Sequence, residues 1–334
     1  MAYSPASNQT GTSTLGHLAT VFYRKRALDR LQKKFTFRMA CMDDMLPKQV
    51  GRTIQFFRYT NPSAVTTTTT EGTVGTGLAL TSKVVSATVS QYSSFFTVSD
   101  LLQDTALDPI LQNAAELLGY QAGLSVDTIV RGIIDAEING TSVNQTLLSS
   151  NSYARLADFR NSRHSLQAND VQPMDDGRFL AIVHPFVTFD LVNDPAAGSL
   201  LDVFKYTQPT STALVHYEDR GTISGEVAGC KIMESTNVKK TAGSPNLYRA
   251  YVFGKNGVGC VDLEGRGPNK IYDPSKQRFA VNVIKGAPSI ADPEGVIGGA
   301  VSYNFIFSVL VLEGPTGIGG SYRFRLLDFA SSIG

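Results

Sequence analysis

The chain has 334 residues, 42% of them apolar and only 18% charged, with 30 Lys and Arg against 29 Asp and Glu. That length supports one large domain or two interleaved ones, and the near-neutral balance leaves no broad basic footprint for nucleic acid or anionic membrane. Cys41, Cys230 and Cys260 are far apart and lack CxxC spacing, so they read as reduced, small apolar residues rather than a disulfide framework or zinc site.

Residues 1–14 are rich in Ser, Thr, Asn and Gln. With little to bury, they are expected to form an arm that is disordered or ordered by a partner, and they carry no secretory signal. Leu15 to Leu31 places Leu18, Val21, Phe22, Leu28 and Leu31 at helical intervals among Arg24, Lys25, Arg26 and Arg30. Such a basic amphipathic helix suits either local contact with DNA or a neighbouring subunit, or a merely solvated face.

Arg52–Thr60 and Val84–Ser99 read as strands. Between them, Asn61–Ser82 holds Asn61-Pro62, five threonines from Thr66 to Thr70 and three glycines, the composition of an extended, exposed hairpin tip. A hairpin that cannot cover itself calls for cover by another chain.

Asp108 suits a helix N-cap, Pro109 the first helical position and Asn139-Gly140 a stop. Between them Leu111, Ala115, Leu118, Ala122, Val126, Ile129, Ile133 and Ala136 trace an apolar stripe. Thirty residues at ~1.5 Å each give a spine about 45 Å long. Gly119, Gly123 and Gly132 interrupt it, which points to close approach of a strand or a neighbour.

Tyr153–Ser165 is a predicted helix, Asp175-Asp176-Gly177 a turn, Phe179–Val183 a buried strand and Phe186–Leu191 a short helix after His184-Pro185. Residues 198–300 are loop-rich, with strands expected at Val227–Glu234, Leu247–Phe253 and Arg278–Ile284, and read as an inserted lobe. Gly299–Glu313 and Tyr322–Phe329 are expected as a final strand pair flanking the glycines of 314–320. The run Phe305–Leu312 is too short to cross a bilayer and reads as a buried strand, so a soluble, cytoplasmically made protein without membrane partners is expected.

Several stretches together resemble the coat proteins of tailed phages, in particular the major capsid family of short-tailed phages. They are Lys48 to Ile54, Thr66 to Gly72, Gln91-Tyr92, Ser99 to Leu102 and Asp104 to Pro109. The likeness continues through His184-Pro185-Phe186, Asp190-Leu191, Asn193-Asp194, Ala250 to Gly254 and Asp292-Pro293, so it spans roughly residues 45–313. The resemblance implies an α+β Hong Kong 97-type capsid fold. It implies an N-terminal arm (1–50), an extended loop (51–99), a peripheral domain (100–195) with a spine helix at 108–138, an axial domain (196–295) and return strands (296–334). It further implies self-assembly into pentamers and hexamers of an icosahedral shell in the virion, around double-stranded DNA held without sequence preference. Scaffold, portal and cement proteins are the other implied partners, with no cofactor. Arg24, Lys25, Arg26 and Arg30 are the expected DNA-facing residues.

Catalytic readings find little purchase. Gly254, Gly257 and Gly259 lack the GxxxxGK[ST] order of a phosphate loop. His17, His164, His184 and His216 have no metal-ligand spacing, and no GxSxG elbow is present. His184 is expected to hydrogen-bond at the end of its strand. Some related capsids cross-link a loop lysine to a neighbour's asparagine; Lys83 is the only lysine in 51–99, and with no partner singled out such a bond is not expected. The alternatives are an encapsulin-like compartment of the same fold and, further off, an enzyme with an unfamiliar site.

Overall fold

The computed structural model describes residues 36–59, 62–69, 71–72, 74, 77–105, 110–138, 145–146, 153–194, 216–218, 222–243, 245–268, 272–273, 278–279, 282–285, 297–313 and 323–331. A 3-10 turn, Phe37–Ala40, leads into β1 (Cys41–Leu46). β2 (Thr53–Tyr59) and β3 (Ser82–Thr88) form an antiparallel hairpin, and β4 (Ser90–Ser99) runs into α1 (Asp100–Thr105) and then α2 (Ile110–Ile138). Next come β5 (Gln145–Thr146), α3 (Leu156–Ala168), β6 (Phe179–Val183) and α4 (Pro185–Val192). The strands β7 (His216–Glu218), β8 (Thr222–Val227), β9 (Cys230–Glu234), β10 (Lys240–Thr241), β11 (Leu247–Phe253) and β12 (Val258–Leu263) follow. The described chain closes with β13 (Tyr272–Asp273), β14 (Arg278–Phe279), β15 (Asn282–Lys285), β16 (Ile297–Val311) and β17 (Phe324–Ala330).

Two sheets organise these elements. One runs β1-β12-β16-β15, with β4 also laid antiparallel along β16. Neither β4 nor the fifteen-residue β16 contains a charged residue. The other runs β5-β17-β11-β6-β9-β8-β7. Its middle strands β6, β11 and β17 are almost wholly buried, as near-continuous apolar runs require when both faces are covered. Alternation along β11 supplies the two faces. Tyr251 meets α2 through Asp135, whereas Tyr248 stacks on His184 at the start of α4. Phe159 of α3 stacks on Phe329 of β17 at 5.9 Å. The sheet therefore lies between the spine helix on one side and α3 and α4 on the other.

The long helix begins at Ile110 and reaches Ile138, while its predicted cap and stop lie outside the described residues. Its buried stripe differs from the expected one. Ala114, Leu118, Ala122, Val126, Val130 and Ile134 are buried, Leu111, Ala115, Ile129 and Ile133 pack at its flank, and Ala136 is exposed. Steps of four advance the contact line by about 40° each, so it winds roughly 200° around the helix. Gly119 and Gly123 are buried, but a Cβ on Gly132 would meet nothing within 4 Å.

Other expectations need correction. The predicted strand Val84–Ser99 is two, because the chain exchanges partners at the buried Val89: β3 pairs with β2 and β4 with β16. Val227–Glu234 is likewise not one strand. Ala228 and Gly229, at φ +55° and +77°, form a two-residue turn joining β8 to β9, the primed geometry that suits strand twist. α3 starts three residues later than expected, where Asp158 accepts the Arg155 N–H at 3.0 Å. β16 and β17 are not a pair but belong to different sheets. Described strands within 196–295 pair with strands outside it: β9 with β6, β11 with β6 and β17, and β12 with β1 and β16.

Candidate assembly surface

The β2-β3 hairpin has one covered face and one bare face. Alternation turns Ile54 and Phe56 of β2, and Val85 and Ala87 of β3, toward Leu46, Val261, Leu310 and Leu312. On the same side Arg58 is paired with Glu313, just past β16, and Arg323 reaches that carboxylate at 2.6 Å. This fastens the paired strands of the hairpin to the first sheet, nearly as far as the tip. The opposite face carries Phe57 (66% exposed), Tyr59 and Val84, with the Phe57 and Tyr59 rings in edge contact at 5.9 Å. Beyond the strands every described residue from 62 to 80 is exposed, including Val65, Leu78 and Leu80. Uncovered apolar surface on a projecting two-stranded arm is suited to burial against another chain.

A second exposed apolar region follows the hairpin. Phe95 and Phe96 of β4 and Leu101 and Leu102 of α1 are all exposed. Antiparallel sheets ordinarily turn a polar face to water; here the face is polar but uncharged, and aromatic residues interrupt it.

Buried polar networks join the spine helix to the first described turn and to the second sheet. Asp127, 1% exposed within α2, accepts the N–H of Phe37 at 2.7 Å, the N–H of Thr36 at 3.0 Å and the Asn237 side-chain amide at 2.9 Å. Burial pushes its carboxyl up to about 6, against the opposing pull of those donors and of Arg131. Two turns further on, Asp135 accepts from Arg249 at 3.1 Å and from the Tyr251 hydroxyl at 3.1 Å, and Arg249 grips Asp328 through two hydrogen bonds. Burial works to lower the Arg249 guanidinium, yet its two carboxylate partners outweigh it and the net direction is upward. Burial and the adjacent Asp135 raise Tyr251. Both sites join α2 to strands or turns distant in sequence. The signal that could have found them is an aspartate one position after each stripe residue, Val126 and Ile134.

The basic residues Arg24, Lys25, Arg26 and Arg30 lie outside the described residues. Lys83 is exposed on β3, opposite Arg58. His184 caps α4, its Nδ1 accepting the Phe186 N–H at 3.2 Å, and burial together with Lys240 holds it down at about 4. Gly254 serves packing: its N–H donates to the Arg323 carbonyl at 2.8 Å, and a Cβ there would overlap Val171. Cys230 and Cys260 are buried and Cys41 half-buried, all as free thiols. Among the described residues no group of three His, Cys, Asp or Glu side chains could hold a metal, and no described helix is long and apolar enough to cross a membrane.

Residues 81–299 match the family described as phage capsid protein. No curated protein sequence matches the chain. Among solved structures, the capsid of cyanophage P-SCSP1u is similar over 99% of this chain and 100% of its own, at 16% identity and TM-score 0.63. The capsid of Ralstonia phage GP4 is similar over 94% and 96%, at 12% identity and TM-score 0.63. The cyanophage Pam1 capsid is similar over 98% and 99%, also at 12% identity and TM-score 0.63. At such identities the likeness is one of fold, the α+β Hong Kong 97 type.

Proposed function

The chain belongs to the phage capsid protein family, and from that premise we propose that pentamers and hexamers of it form a closed icosahedral wall around packaged double-stranded DNA. As a major capsid protein it self-assembles, and its place is the virion shell. The observation that carries the assembly reading is the hairpin, pinned near the end of its strands by Arg58 and Glu313 while Phe57, Tyr59, Val84 and the described tip residues stay uncovered. In a shell such an arm lies over the neighbour's spine region, and the apolar surface it buries there is the driving term.

Assembly through several modest contacts suits a shell, because each can be corrected while together they hold firmly. In this reading residues 1–50 form the arm, 51–99 the extended loop and 108–138 the spine of a peripheral region at 100–195. An axial region within 196–295 is anchored by β9, β11 and β12, and 296–334 return to the frame. Arg24, Lys25, Arg26 and Arg30 face the lumen and touch DNA phosphates without reading sequence. A separate scaffold guides assembly, with portal and cement proteins as further partners. No catalytic step is assigned to the chain.

The test is negative-stain electron microscopy with light scattering on the purified chain, alone and with a co-expressed scaffold. Closed shells or ring-shaped capsomers are the expected outcome. A monodisperse monomer under both conditions overturns the reading.

A further inference from the structure

Among the described residues β4 is an open edge: it pairs with β16 alone, and its other side carries a row of backbone donors and acceptors along ten residues. It lacks the charge and the proline that usually protect an edge strand, and Phe95 and Phe96 are exposed. Beside this edge a groove of about 710 Å³ runs between β4 and α2. Gln91, Ser93, Gln121, Ser125, Thr128 and Tyr303 are among its lining residues, and none of its described lining residues is charged.

The same chain holds a segment with the complementary deficit. Val65 to Thr69, at the hairpin tip, is made of β-branched residues, carries no charge and is fully exposed in no strand. Threonine and valine favour strands when a partner edge is offered. Five extended residues span about 17 Å, enough to lie along the groove beside Gln91 to Ser94. Its own hairpin is held along its strands by the Ile54 and Phe56 packing and, near the tip, by the Arg58 pair. This sets the tip at the opposite end of β3 from Thr88, next to where β4 begins; a second copy is therefore taken as the source.

We propose that Val65 to Thr69 of one copy adds as a strand to the open edge of β4 in a second copy, its threonine hydroxyls seated against the amides and hydroxyls of the groove. This rests on the shell-subunit reading and names how the loop is received. Backbone hydrogen bonds supply the affinity, and the hydroxyl-lined groove supplies the selectivity. The basic arm around Arg24 to Arg30 is a poor occupant, because an uncharged groove would strip water from its charges without pairing them. The uncharged residues 1–14 contain Pro5 and Gly11, which weaken them as a strand.

The test is disulfide trapping in assembled particles of the full chain carrying Thr67→Cys and Ser93→Cys, with mild oxidation. A ladder of covalent multimers from the double variant, absent from either single variant, is the expected result. Dimers from Ser93→Cys alone mean β4 edges pair with each other and overturn the proposal. A ladder from Ser93→Cys with Ser7→Cys, in place of the first, assigns the groove to the arm and overturns it too. Hydrogen exchange on unmodified protein is independent of the cysteines: β4 amides should exchange roughly tenfold or more slowly in particles than in free subunits. Particles with unchanged β4 exchange overturn strand addition and leave the capsid reading intact. Absence of particles from the unmodified chain overturns the capsid reading itself, and this inference with it.

Discussion

The Asp127 carboxylate in the middle of α2 accepts the backbone N–H of Phe37 at 2.7 Å, tying the first described turn of the chain to the spine helix ninety residues later. Phe37 itself is fully buried and meets Tyr251 edge-on at 4.8 Å. The N-terminal segment is thus held at its root by one carboxylate and one ring. Asp127→Ala orphans the Thr36 and Phe37 amides and the Asn237 side chain, so a loss of about 2–4 kcal/mol is expected. Urea unfolding of the unassembled subunit measures it, and a change within ~0.5 kcal/mol would show that the anchor is redundant.

The same residue sets a pH response with a definite sign. Its folded value of about 6 lies above the ordinary 3.8 of the free carboxyl, so between roughly pH 6 and pH 4 the folded state holds a proton that the unfolded chain does not. The burial cost is present in full above pH 6 and relieved as the pH falls toward 4, a gain of at most about 3 kcal/mol from this group. Comparing the pH dependence of unfolding for the native chain and Asp127→Asn isolates it. The expected outcome is a flatter profile for the variant in that window.

Arg249 sits between two buried carboxylates, Asp135 and Asp328. Arg249→Met removes the guanidinium that bridges them, leaving Asp135 with the longer Arg131 contact at 3.9 Å, and is expected to cost about 3–5 kcal/mol. Adding Asp135→Asn and Asp328→Asn to the same chain should restore much of that loss, because the two carboxylates that lost Arg249 are then neutral. Thermal melts of the single and triple variants decide it. Equal stability of the two would mean that the arginine contributes by packing alone.

Phe57 is exposed in the isolated chain, so Phe57→Ser should move subunit stability by no more than about 0.5 kcal/mol. If the ring is buried at a subunit contact, the concentration needed for assembly should rise by roughly tenfold or more. Light scattering across a dilution series reads the second effect and denaturation the first. An unchanged assembly threshold would place the bare face of the hairpin outside the contacts.

Reversing the charge of Arg24, Lys25, Arg26 and Arg30 together should reduce DNA retained in filled particles while empty shells still form. Nuclease-protected DNA per particle is the measurement. Unchanged retention would free these residues from the lumen-facing role.

The elements read most directly from the sequence are those specified locally. β6 follows from five consecutive apolar residues, the Asp175–Gly177 turn from its glycine, and α2 from a long helical period. His184 was legible in part: a hydrogen bond at its strand end was expected, and a residue before proline is biased away from helix, but its capping of α4 was not read. What escaped was set by distant partners. Nothing between Val84 and Ser99 marks Val89 as the place where a strand leaves one sheet for another; Arg52 and Phe307, far along the chain, decide it. The winding of the α2 stripe likewise reflects what lies against each turn. The 198–300 region read as an inserted lobe because it is rich in Gly, Pro, Asn and Asp, while β9, β11 and β12 within it are inner strands of the two sheets. Of the surface, the Thr66–Thr70 run announced an exposed tip. The open edge of β4 was hidden, because an edge is a property of neighbours and not of residues.

Twenty-five residues of β4 and β16 without one ionic group give this part of the protein an unusual chemical temperament. A seam built on them offers dissolved ions nothing to screen, so fresh water and brine should hold it equally well. Apolar burial weakens on cooling, which makes cold rather than salinity the condition under which such a seam loosens.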